Sequence, residues 1–111
     1  MPRSRLESAI TKEMLTYLNS LPQCYAEKVH GGEYQAGRPD ISGCYRGWAL
    51  QIEVKRDGAG EIGYAATLAD FVRAHATAQQ ASHLVNWQKA GAIVGVCVSV
   101  DQVKELIKRC D

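Results

Sequence analysis

Three charged residues of this 111-residue chain stand where they could act together: Asp40, Glu53 and Lys55. Trp48, Leu50, Ile52 and Val54 alternate with Ala49, Gln51, Glu53 and Lys55, the period of two expected of a strand with unlike faces. A shorter strand over 40–45 precedes it. Arg46-Gly47 lies between them, a two-residue spacing ending in Gly that predicts a hairpin turn. Such a turn pairs Tyr45 with Trp48 and sets Asp40 directly opposite Glu53, where opposed Cβ atoms are about 4.5–5.5 Å apart. Lys55, two residues beyond Glu53, projects from the same face. Opposed carboxylates repel, more strongly when desolvated, so a hairpin kept for stability alone would not favour this pair. A divalent cation reverses the sign. Mg²⁺ takes one or two carboxylates, with waters and substrate phosphates completing its octahedron. The backbone carbonyl of Val54 is a further candidate ligand. The plain alternative is a surface cluster in which Lys55 neutralises two acids.

The elements that must position these residues are legible as well. Leu6, Ile10, Met14, Tyr17, Leu18 and Leu21 recur at helical spacing, predicting an amphipathic helix over 5–21 that ends at Pro22. Ser4 and Glu7 have capping-box spacing at its start. Residues 24–30 read as a short strand, with Tyr25 and Val29 on its apolar face and Lys28 and His30 on the other. Gly31-Gly32 and Gly37-Arg38-Pro39 bound a loop. After a loop over 56–60, an Ala-rich stretch over 67–89 reads as one helix or as two with a break near Thr77. Gly91 stops it. Ala92 to Val98 is a continuous apolar run, as expected of a strand covered on both faces. A last helix starts near Asp101, with Val103, Leu106, Ile107 and Cys110 on one stripe. The order is α-β-β-β-α-β-α, an α/β domain with helices against a mixed sheet.

Composition sets the limits. With 46% apolar and 23% charged residues, the chain reads as one domain over 1–111, not a disordered or fibrous chain. Thirteen basic residues against twelve acidic give a net charge of +1, which neither announces nor excludes a nucleic-acid partner. No apolar run approaches the roughly 18 residues of a membrane span, and the N-terminus lacks a signal peptide's apolar stretch. A cytoplasmic compartment is the expectation, with no membrane partner. The four cysteines form no Cys-x-x-Cys pair, which argues against a zinc site. They are expected to be reduced, with Cys24, Cys44 and Cys97 buried and Cys110 near the chain end.

Gly37-Arg38-Pro39-Asp40 followed by Glu53-Val54-Lys55 resembles the PD-(D/E)XK nuclease superfamily and, within it, the virus-type replication-repair nuclease (VRR-NUC) domain. Glu7 lies on the first helix, where that family places an acid. Lys28-Val29-His30-Gly31 precede the motif, and Gln80, Gly91 and the strand over 92–98 fit the family's ending. The resemblance spans roughly 6–106 and is to the stand-alone type carried by phages and prophages. The stretch over 56–76 is longer than in compact members.

The resemblance implies a restriction-endonuclease-like core and metal-dependent hydrolysis of DNA phosphodiesters. Asp40, Glu53, the Val54 carbonyl and Glu7 would hold one or two Mg²⁺ ions, for which Mn²⁺ may substitute, activating water and stabilising phosphate charge. Lys55 would orient or help deprotonate the attacking water, and Gln80 would contact the lysine, the water or the scissile phosphate. Glu7 and Gln80 each have a structural reading too, since Ser4–Glu7 and Thr77–Gln80 both have capping-box spacing. Lys28, Arg38 and Arg56 are the candidate DNA contacts, joined by Arg46 and Arg73, each of which can equally be a solvated surface charge. His75, Gln79 and His83 fall on one helix face, with the histidines about 12 Å apart along it, too far to share a metal. Trp48 and Trp87 occupy apolar positions and are expected in the core or a dimer interface.

The leading expectation is a structure-specific endonuclease on Holliday junctions or other branched DNA, acting as a homodimer whose two-fold axis presents two sites to opposed strands. The alternatives are a nickase or exonuclease on flaps, ends or duplex, and a non-catalytic binding module of the same fold.

Overall fold

The computed structural model describes residues 7–29, 37–55 and 77–108. Its elements are α1 (Glu7–Ser20), β1 (Cys24–Lys28), β2 (Ile41–Tyr45), β3 (Trp48–Val54), α2 (Ala78–Lys89), β4 (Ile93–Cys97) and α3 (Val100–Lys108). This is the expected α-β-β-β-α-β-α order, a mixed α/β fold. Leu6, Ser4, Cys110 and the stretch over 67–76 lie outside the described residues, so the first helix's cap and the start of the Ala-rich segment fall there too.

The four strands form one sheet in the order β1-β2-β3-β4, antiparallel through β3 and parallel between β3 and β4. Arg46 and Gly47 make the β2–β3 turn with φ of 51° and 86°. Positive φ at both central residues matches the right-handed twist of the flanking strands, so the turn closes without splaying them. Tyr45 pairs with Trp48 and Ile41 with Ile52, the register anticipated from the turn.

Strand alternation divides the sheet into two unlike faces. Ile41, Tyr45, Leu50, Ile52 and Val54 of the first face join Ile10, Met14 and Leu18 of α1 and Val103, Leu106 and Ile107 of α3 in the main core. On the second face α2 lays Ala81 and Leu84 over Val94 and Val96. β4 is buried throughout because helices cover both of its sides.

Gly43 is required where β2 lies beside β1, opposite Ala26. A Cβ there would lie 2.7 Å from the Ala26 Cα, closer than non-bonded carbons approach. That near contact seats Ala26 in the core. It also corrects the reading of β1: Tyr25 and Val29 do share a face, but it is the open one, and Tyr25 is 67% exposed while Ala26 is buried. β1 is an edge strand, and among the described residues the helix packed against it is α1, on the Ala26 side. Two further expectations are corrected. Trp48 and Trp87 are 54% and 39% exposed, which excludes the core as their place and leaves the dimer-interface half of that expectation standing. Cys44 is exposed and Cys24 half-buried, which leaves Cys97 as the one fully buried thiol among the described free cysteines. Among the described residues no helix is long and apolar enough to cross a membrane.

Candidate active site

The site lies on the second face, where β2 begins and β3 ends. Asp40 immediately precedes β2 and is fixed twice. Its backbone carbonyl accepts from Val29 N at 2.8 Å, and its Oδ2 accepts from Val54 N at 2.7 Å. The carboxylate is thereby clamped against the end of β3 beside Glu53, as the hairpin register requires. Val54 enters the site through this amide, while its side chain is buried in the main core.

Glu53 sits between β2 and β4, paired with Val96, and is 2% exposed. Its Oε2 is buried with no hydrogen-bond partner among the described residues. Burial pushes its carboxyl up to about 10, reinforced by a hydrogen bond with Asp40 and by that residue's charge; Lys55 pulls the other way, and Glu7 adds a weaker push upward. Without a cation, Glu53 therefore keeps its proton at neutral pH.

Lys55 continues the β3–β4 ladder, its N–H donating to Cys97 O at 3.0 Å. Its Nζ donates to Gln80 Oε1 at 3.2 Å, which ties the amine to α2. The same Oε1 accepts from Thr77 N at 2.9 Å, and Gln80 N donates to Thr77 Oγ1 at 3.1 Å. Gln80 thus closes a capping box and at the same time holds the Lys55 amine. Thr77 is the N-cap of α2; whether the Ala-rich segment is one helix or two falls on residues 67–76, outside the described ones.

The loop before Asp40 is built to dock on α2. Gly37 has a φ of 81°, and a Cβ there would meet Gln79 Cγ at 2.5 Å. Only glycine both adopts that conformation at little cost and lets the helix approach so closely.

The other anticipated residues separate. Glu7 opens α1, half-buried and within electrostatic range of Glu53. It does not complete a ligand set: among the described residues no three His, Cys, Asp or Glu side chains are grouped to hold a metal. The donor set fits a cation through Asp40 and Glu53, where a buried carboxyl oxygen without a partner is what positive charge would satisfy. Arg38 reaches the second face beside Pro39. Lys28 pairs with Ile41, which by alternation assigns it to the opposite face from the acids. Arg46 stands over the Tyr45 ring at 5.5 Å, at the far end of the hairpin. Arg56, Arg73 and His75 lie outside the described residues.

Sequence reasoning passed over Ser42 and Gln51, one step along the same face. Gln51 is 3% exposed and donates from Nε2 to Ser42 Oγ at 2.8 Å. The signal was available: a glutamine on the same face of β3 as Glu53, opposite a serine. No family model and no curated protein matches the chain.

Proposed function

We propose that the chain is a divalent-cation-dependent endonuclease of the PD-(D/E)XK type, similar to VRR-NUC domains, with a restriction-endonuclease-like core. The observation that carries this reading is the buried Glu53 carboxyl, unpartnered at Oε2 and hydrogen-bonded to Asp40, with a restrained lysine alongside. A purely structural ion pair would leave neither an orphaned oxygen nor two abutting acids. Mg²⁺ or Mn²⁺ held by Asp40 and Glu53 would supply charge stabilisation at the phosphate and activation of water. Lys55 Nζ, kept on station by Gln80, orients the water whose oxygen attacks phosphorus and offsets charge as the bond to the leaving oxygen breaks. Asp40 is oriented by the Val54 amide. Branched DNA is the proposed substrate and a homodimer the acting form, in the cytoplasm, because one small protomer presents one site.

The test is to incubate the chain with Mg²⁺ or Mn²⁺ and four-way, flap or linear duplex DNA. Cleavage is expected, fastest on the four-way junction, with Lys55→Ala abolishing cutting and retaining binding. Uncut DNA of all three kinds overturns the proposal, and undiminished cutting by Lys55→Ala removes that residue from it.

A further inference from the structure

A groove of about 260 Å³ adjoins the acids on the second face. Arg38 and Pro39 form one side, His83 and Trp87 of α2 the other, and Ser42 and Gln51 also line it. Gln51 lies two residues from Glu53 on the same face of β3, about 7 Å along the strand. That distance is comparable to the span between adjacent phosphates of a nucleic-acid strand. On α2, Gln80, His83 and Trp87 recur at i, i+3 and i+7, so one helical stripe runs from Lys55 into the groove.

We propose that this groove receives one unpaired nucleobase next to the scissile phosphate. The inference rests on the nuclease reading for its neighbour and adds to it the form of DNA recognised. Trp87 offers a half-open aromatic face for stacking, which serves any base because each has a π-face. The Gln51–Ser42 bond uses one donor of the amide and one acceptor position of the hydroxyl, leaving the pair both donor and acceptor functions for a base edge. Arg38 and His83 line the groove where the adjoining backbone would pass. A base within a duplex is stacked on both faces and cannot enter; one at a junction, flap or single strand enters without the expense of unpairing. Preference for branched DNA then follows from the groove.

The experiment measures binding in EDTA, where no cleavage occurs. In a Trp48→Phe protein the remaining emission comes from Trp87. Oligothymidylate is expected to quench it saturably, and an abasic oligomer of the same length is not. Trp87→Ala is expected to lower affinity for oligothymidylate about tenfold more than for a fully paired duplex, equivalent to ~1.4 kcal/mol, and Trp87→Phe to restore most of it. Equal quenching by the abasic oligomer overturns the proposal, as does a Trp87→Ala loss that is absent or equal on both DNAs. Base-dependent quenching by a chain that cuts nothing keeps the groove and rejects the nuclease. Cutting that is indifferent to Trp87 does the reverse.

Discussion

The two faces of β3 are equally dry and chemically opposite. Leu50, Ile52 and Val54 are 0% exposed toward α1 and α3, while Gln51 and Glu53 are 3% and 2% exposed on the face that α2 covers. On the first face burial is its own reward, since apolar area leaves water and meets close-packed neighbours. On the second, burial is unfavourable unless every polar atom finds a partner. Gln51 finds Ser42; Glu53 shares a hydrogen bond with Asp40, yet its Oε2 has no partner among the described residues. One strand thus carries a structural side and a side held in readiness for a ligand. The difference teaches that degree of burial does not separate core from site; the satisfaction of buried polar atoms does.

The largest expected effect breaks the first face. Ile52→Ala removes packing between α1 and the sheet and should lower stability by about 3 kcal/mol, read as a shifted midpoint in denaturant melts and similar at every pH. Glu53→Gln probes the second face and should behave otherwise. A carboxyl raised to about 10 when folded, from an ordinary value of 4.5, binds more protons in the native than in the unfolded chain. Its contribution to stability is therefore complete in acid and is lost as pH rises from 4.5 through about 10. The glutamine variant, free of that titration, should match the cation-free parent near pH 4 and exceed it in melting temperature at pH 8. A variant less stable than the parent at pH 8 would contradict this account of Glu53. The smallest effect is at their border: Gln80→Ala opens the capping box and frees Lys55, with a loss of about 1 kcal/mol in stability and about a tenfold fall in cleavage. Gln80→Glu should recover the cap, and its activity measures how much of the fall was due to the lysine contact.

What could be read in advance follows the same division. The hairpin register was legible because Arg46-Gly47 fixes the alternation of both strands, and with it the meeting of Asp40 and Glu53. The cap at Thr77 and the capping role of Gln80 are legible as local spacing. β1 was misread because its apolar Tyr25 looked inward on composition, whereas the close approach at Gly43 and the reach of α2 decide which face is covered. Trp87 reads from sequence as a core or dimer-interface residue because Ser42 and Gln51, on the sheet face that α2 covers, meet it only through the docking of α2 beside Gly37. Long-range placement of one helix thus converts a set of ordinary polar residues into a groove, and no spacing within a single element encodes it.

The claim on which the rest depends is that Asp40 and Glu53 accept a divalent cation in place of the proton Glu53 holds. Titration calorimetry with Mn²⁺ at pH 7, repeated in buffers of different ionisation enthalpy, counts that proton directly. The account predicts release of close to one proton per cation bound, and loss of binding in Glu53→Gln. Binding without proton release, binding unchanged in Glu53→Gln, or no binding at millimolar Mn²⁺ would contradict it.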